Sequence, residues 1–342
     1  MKILFISENP HTQIGGIENH ITHIGKSLQA RGHSVAYLSA KALASRTVMN
    51  KQVVPTKTIK KHLNSVASDV IHVHGFSSFF VYQCLSIAKK TVPNAKLVYT
   101  PHYHPFQYHN HPFLAAAFFH AFLKKSLKNV DSLIALTDTE KSFFAQYVDA
   151  HKIHIVPNGI QINNHMLEKA KPLKDTLLFV GRDDHNKRLD FIEMQREFFK
   201  EKGIRCHIVT DKEKDDDEVF IYHKNISDLQ LQALYEKCTL LSVPSKYEAF
   251  SIVALEAMSY GTPILISDRV QIKSYIVDGS ECNQVFRYDD SRDFQNKLGK
   301  ILKKDKVSYK HCSQNNILFA QKFSWQEIAK KVETLYGLTG EI

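Results

Sequence analysis

Short apolar runs alternate along this chain with longer segments whose apolar residues recur every three or four positions. Lys2–Ser7 is the first run, and the polar loop from Glu8 to Gly15-Gly16 follows it. Ile17, Ile21, Ile24 and Leu28 then keep helical spacing until Arg31-Gly32. Further strands are expected at Val35–Ser39, Val70–His74, Leu97–Thr100, Ser132–Leu136 and Thr176–Val180, then at Val219–His223, Leu240–Val243 and Pro263–Ser267. Asp228–Lys237 and the stretch from Phe323-Ser-Trp325 to Tyr336 have helical character. Alternation of this kind predicts α/β architecture with parallel, doubly wound sheets, whose functional residues belong at the strands' C-terminal ends. The 342 residues suffice for about two domains, each with its own core. The polar, basic segment Leu167–Lys174, with Pro172 inside it, reads as the linker between them.

Composition narrows the class. Hydrophobic residues make up 43% and charged residues 23%, ordinary for a globular protein. No apolar run reaches the roughly 18 residues that span a bilayer, and the apolar start is too short for a signal peptide. Five scattered cysteines, without Cys-x-x-Cys spacing, point to reduced thiols in a cytoplasmic protein, not to a disulfide frame or zinc site. Residues 1–170 hold 18 Lys+Arg against 8 Asp+Glu, whereas residues 171–342 hold 27 of each, so the first half carries the whole net charge of +10. It also holds 15 of the 19 histidines. A one-sided basic half points to an anionic partner. Nucleic acid is disfavoured, because no helix-turn-helix, zinc or RNP pattern is present. An acidic membrane face fits better. The run Phe113–Lys125, aromatic and then lysine-rich, suits either a membrane interface or a core helix.

Candidate chemistry concentrates between Pro244 and Pro263. An apolar strand ends at Pro244, Glu248 lies in the loop beyond it, and Ser251 is the expected N-cap of a helix over Ile252–Tyr260, stopped by Gly261 and Pro263. Glu256 falls one turn inside that helix. A helix start offers unpaired N–H groups to a phosphate, and carboxylates beside it suit hydroxyl donors such as ribose and sugar. The combination suggests a nucleotide-sugar pocket. Gly15-Gly16, after the first strand, lets backbone approach a phosphate or sugar, although Gly-x-Gly-x-x-Gly is absent. Gly181-Arg182 and Lys187 place two cations after another strand, where a leaving diphosphate gathers charge. His74, His102 and His104 stand at strand ends. Asp215-Asp216-Asp217 satisfies Asp-x-Asp, but its lysine-rich surroundings mark it as a solvated loop, and no catalytic metal is expected.

Pro-Ser, then Glu248 and Glu256 with seven residues between them, then Ala-Met-x-x-Gly-x-Pro, resembles the donor-site signature of retaining glycosyltransferases of family 4. Val156-Pro-Asn158-Gly-Ile160 and the Arg182/Lys187 pair resemble further segments of that family, with Gln161 in place of its Asp. One departure stands out: Ala249-Phe250-Ser251 replaces the family's Gly-Phe-Gly. The resemblance implies a GT-B fold, two Rossmann-like domains facing across a cleft. Residues 1–168 would form the acceptor-side domain, 169–322 the donor domain, and 323–342 a helix crossing back to the first. It implies transfer of a sugar from a nucleoside diphosphate sugar to an acceptor hydroxyl with retained configuration, in cell-surface polysaccharide, lipopolysaccharide or glycolipid assembly. Arg182 and Lys187 would stabilise the leaving diphosphate, Glu248 and His102 would hold the transferred sugar, and Glu256 the ribose. Gly15, Gly16, Asn158, Ala249, Phe250 and Ser251 would complete donor binding, with no cofactor and no metal. The expected partners are the donor, a glycan or lipid-linked acceptor and an anionic membrane face; the expected location is the cytoplasm. The alternatives are a nucleotide-binding dehydrogenase or epimerase, and a non-catalytic binding module.

Overall fold

The computed structural model describes residues 1–13, 15–43, 46–48, 51–76, 78–103, 123–162, 168–172, 175–276 and 282–337, without the side chains of 46–48 and 51–53. His104, Pro105–Pro112, most of Phe113–Lys125, the ends of the expected linker and the turn Asp278-Gly279 lie outside the described residues. The chain divides into two compact units, Met1–Gly159 with Trp325–Ile342, and Ile160–Ser324. The expected joint at 168/169 falls inside the second unit, because Ile160 and Lys169 are both buried there. The Lys169 ammonium donates to Tyr235 O, Cys238 O and Thr262 Oγ1, so this residue of the expected linker ties chain segments of the second unit together.

The first unit is built on six parallel strands: β1 (Lys2–Ser7), β2 (Ser34–Ser39), β3 (Val70–His74), β4 (Lys96–Thr100), β5 (Ser132–Ala135) and β6 (Ile153–Ile155). Their order is β2-β1-β3-β4-β5-β6. Register runs Ile3 beside Val35 on one side and Val70 on the other. The apolar run of β1 is continuous because both faces are covered. Leu4 and Ile6 point into one core with helices α2 (Thr56–Val66) and α3 (Phe79–Thr91). Ile3 and Phe5 point into the other, against α1 (Gly16–Ala30). Gly32, with φ +88, ends α1 in a conformation that other residues resist. A short helix, α4 (Asp138–Phe144), follows β5.

The second unit repeats the plan with β7 (Thr176–Val180), β8 (Arg205–Thr210), β9 (Phe220–Lys224), β10 (Leu240–Val243), β11 (Ile264–Ser267) and β12 (Gln284–Phe286). All pair in parallel, in the order β9-β8-β7-β10-β11-β12. Leu178, Leu241 and Ile266 enter the core that holds α7 (Asp228–Lys237) and α8 (Ile252–Ser259), while Leu177, Leu240 and Leu265 enter the core on the other face with α5 (Leu189–Glu193), α6 (Arg196–Lys202) and α9 (Ser291–Leu302). Alternation with period two sorts each strand between its two faces.

The last helix, α11 (Trp325–Leu335), returns to the first unit. Trp325, Ile328, Ala329, Val332 and Tyr336 form one stripe on it, packed with Ile3, Phe5, Ile21 and Ile24. Glu333 pairs with Arg31 and His33 at the stripe's edge. Cys282 and Cys312 are joined as a disulfide, which corrects the expectation of reduced thiols throughout. They lie 30 residues apart in sequence yet 5.1 Å apart between Cα atoms, a proximity made by the fold of α10 (Lys306–Gln321) that spacing does not reveal. Cys84, Cys206 and Cys238 are free and buried. Among the described residues no helix is long and apolar enough to cross a membrane.

Candidate functional site

In an open α/β sheet, ligands bind beyond the strand C-termini where strand order reverses. In the second unit that point lies between β7 and β10, which are neighbours in the sheet although far apart in sequence. β7 runs straight into Gly181-Arg182, and β10 into the loop that carries Glu248. The two loops are stitched together. Asp184 accepts N–H bonds from Asn186 at 3.0 Å and Lys187 at 2.9 Å. Asn186 in turn accepts from the Lys246 backbone and donates to Tyr247 O. Gly181 is closely approached: a Cβ there would sit 3.3 Å from both the Lys187 stem and the Phe179 ring.

This scaffold sets Lys187 Nζ 2.5 Å from Glu248 Oε1, which also accepts the Ser245 hydroxyl at 3.0 Å. The Arg182 side chain is 74% exposed and touches Asp184 at 3.2 Å, so its guanidinium remains turned to solvent. Ser251 begins α8 but does not cap it. Its φ of +61 puts it in the left-handed region and its hydroxyl is buried without a hydrogen-bond partner. The Gly-Phe-Gly that the resemblance implies would put glycine here, and this chain makes the same left-handed turn with a serine that gives the helix no side-chain cap. Phe250 is a core residue, packed against Tyr275 and Phe323, so only its backbone is left for a ligand. Ala249 and Glu256 are half-buried. Burial raises the Glu256 carboxyl above its ordinary range, opposed by the Tyr235 hydroxyl, which donates to it at 2.9 Å. Tyr235, on α7, was not singled out by sequence reasoning, and its spacing gives no signal beyond that of a core aromatic.

The first unit reverses strand order between β1 and β3. Gly16 opens α1 and faces open space; Gly15 is extended, and the Glu18 carboxylate folds over it, where any Cβ would collide. Glu18 also accepts from Asn9 at 3.0 Å. His74 ends β3, and His102 follows β4 with φ +53. His102 is held by its neighbour, since Glu140 accepts the backbone N–H groups of Tyr103 and Leu136. Wholly buried, the Glu140 carboxyl is raised to about 7, with those two bonds opposing the shift. His20, from α1, joins His74 and His102: its Nδ1 lies 2.8 Å from Asn158 Oδ1, and its ring 4.9 Å from that of His102. Burial lowers His20 to about 4 and holds His74 and His102 well below the imidazole range, helped by the adjoining imidazoles. His72 stands behind them, 2.7 Å from both Tyr336 Oη and Thr100 Oγ1. Sequence reasoning missed His20 and Glu140. His20 had a faint signal, an imidazole on the same helix face as Ile17 and Ile24.

Each unit therefore gathers its own part of the expected set. Arg182, Lys187, Glu248, Ala249, Phe250, Ser251 and Glu256 belong to the second; Gly15, Gly16, His102 and Asn158 to the first. Asp215–Asp217 stand apart from both, exposed, with Asp217 paired to Arg196 at 2.7 Å and accepting two backbone N–H groups. Arg188 is tied to Asp190, Tyr288 and Asp289.

Residues 14–164 match the family model Glycosyltransferase Family 4, and residues 164–319 match Glycosyl transferases group 1. A GDP-mannose:cellobiosyl-diphosphopolyprenol alpha-mannosyltransferase of Xanthomonas oryzae is 22% identical over 78% of this chain and 79% of its own length. An uncharacterized 41.2 kDa protein in the cps region of Klebsiella pneumoniae is 26% identical over 82% of this chain and 84% of its own. In fold, the chain is similar to sucrose-phosphate synthase from Thermosynechococcus elongatus (TM-score 0.73, 18% identity, 98% of both chains). It is also similar to Anabaena HepE in complex with UDP (TM-score 0.72, 16% identity, 99% and 100% of the two chains). The two family matches run end to end over residues that supply both strand-end constellations, and the chain belongs to this family of GT-B glycosyltransferases.

Proposed function

We propose that this glycosyltransferase moves a sugar from a nucleoside diphosphate sugar to the hydroxyl of a glycan or lipid-linked acceptor, with retained anomeric configuration and no catalytic metal. The carrying observation is the convergence of Arg182, Lys187, Glu248 and the α8 start at the C-terminal ends of β7 and β10. Lys187 neutralises Glu248, so a carboxylate is tolerated beside an anionic ligand. With the donor bound, Arg182, Lys187 and the backbone N–H groups at the start of α8 face the diphosphate. Glu256, positioned by Tyr235, accepts the ribose hydroxyls, and Glu248 those of the transferred sugar. Gly15, Gly16, Ala249, Phe250 and Ser251 contribute backbone near the diphosphate, and His102 contacts the sugar. Asn158 supports this arrangement by fixing His20.

In the step itself the bond from anomeric carbon to diphosphate oxygen breaks as the acceptor oxygen bonds to that carbon from the same face. The acceptor's proton passes to the departing phosphate oxygen. Charge grows on the diphosphate, where the two cations are worth most. Relatives that include a GDP-mannose:cellobiosyl-diphosphopolyprenol alpha-mannosyltransferase and an O-antigen chain mannosyltransferase support a lipid-linked or polysaccharide acceptor. Exposed Lys57, Lys60 and Lys61 on α2 support contact with an anionic membrane face.

Glu256→Ala is expected to raise the donor KM at least tenfold. Lys187→Ala is expected to lower kcat at least a hundredfold in excess chelator, where the wild type keeps its turnover, and product analysis should show the donor's anomeric configuration. Normal kinetics in both variants, or an inverted product, would overturn the reading.

A further inference from the structure

The histidine cluster of the first unit has an internal chemistry that sugar contact does not use. His20, His74 and His102 each bring one ring nitrogen within 4.8 Å of the others. Among the described residues no carboxylate belongs to this group. With the Asn158 amide oxygen as acceptor, His20 carries its proton on Nδ1, which leaves Nε2 a lone pair. An imidazole fixed through its other nitrogen is the usual arrangement of a metal ligand. His74 is wholly buried, and its Nε2 has no hydrogen-bond partner among the described residues. Its Nδ1 lies 3.3 Å from His102 Nε2, and two neutral imidazoles can place only one proton between them. That spacing matches the edge, about 3.3 Å, of a tetrahedron whose ligands lie about 2.0–2.1 Å from the ion. Of His20 Nε2, His74 Nδ1 and His102 Nε2, at least two therefore carry lone pairs, in a pocket that burial keeps uncharged.

We propose that His20, His74 and His102 form a three-imidazole site for a divalent transition-metal ion of the zinc class. An all-nitrogen set suits zinc, nickel or copper and not magnesium or calcium. His72 is excluded as a ligand because Tyr336 and Thr100 occupy both its nitrogens. Three ligands leave a fourth position for water or another small ligand. Occupancy would engage His102, so an ion here opposes transfer and does not assist it. That consequence rests on the function proposed above; binding does not.

Full-length, tag-free protein stripped with chelator and titrated with Co2+ provides the test. Trp325 is the chain's sole tryptophan, and its ring lies 5.5 Å from that of His20, so a paramagnetic ion at the site quenches its emission. The expected result is one equivalent of Co2+ with saturable quenching, reversed by Zn2+. His74→Gln and His102→Gln are each expected to weaken binding at least tenfold. A double variant of His207 and His223, a histidine pair 3.0 Å apart in the second unit, should bind as the wild type does. No quenching at saturation, or unchanged affinity in His102→Gln, would overturn the site. His102 is half-exposed, so that variant decides even if His74→Gln fails to fold. Protein that binds Co2+ yet, once stripped again and assayed in excess chelator, transfers no sugar would refute the proposed function and leave the site standing.

Discussion

Single residues carry much of what distinguishes this chain from the sequences it resembles. Ser251 holds a left-handed backbone and a buried, unpartnered hydroxyl, and a non-glycine residue there costs about 1–2 kcal/mol. Ser251→Gly is therefore expected to stabilise the fold by about 1 kcal/mol after the entropy glycine adds to the unfolded chain, read from the urea midpoint. A destabilised variant would show that the hydroxyl does contribute. Glu140 supplies a pH signature. Its carboxyl titrates at about 7 when folded against 4.5 in an unperturbed chain. Between those values the folded state holds the proton that the unfolded state has lost. The contribution is complete below pH 4.5 and disappears as pH rises through 7, amounting to about 3 kcal/mol. Glu140→Gln is expected to remove that slope, measured by urea unfolding at pH 5 and pH 8; an unchanged slope would assign it elsewhere. Sequence puts Lys187, Glu248 and Glu256 forward as candidates because the chemistry expected of them is tied to fixed spacing beside a strand end. It could not find His20, Glu140 or Tyr235, whose partners Asn158, Tyr103 and Glu256 are neighbours only after folding.

At the scale of elements, the parallel strands were legible because burial on both faces leaves continuous apolar runs, as β1 shows. The α11 stripe was legible from its 3.6-residue period. The expected linker was misread, since polarity in Leu167–Lys174 does not reveal that three acceptors capture the Lys169 ammonium. The disulfide was invisible for the same reason, being a contact between a loop and α10. Gly159 marks where β6's exit meets α11: a Cβ there would lie 2.5 Å from the Trp325 ring. Gly159→Ala is expected to cost about 1–3 kcal/mol and to shift the emission of Trp325, because two backbone-anchored groups cannot both yield. Unchanged stability and emission would mean that α11 is free to move away.

For the whole molecule, two doubly wound units account for the chain, and each places its polar groups where its own strand order reverses. The central claim is that the second unit recognises a nucleoside diphosphate through Lys187 and Glu256. Calorimetric titration with UDP, GDP and ADP, on the wild type and on Lys187→Ala and Glu256→Ala, tests it most directly. One of the three nucleotides should bind the wild type in the micromolar range, and each variant should lose at least tenfold, about 1.4 kcal/mol or more. Equal affinity in all three proteins, or no binding of any of these nucleotides to the wild type, would contradict the account.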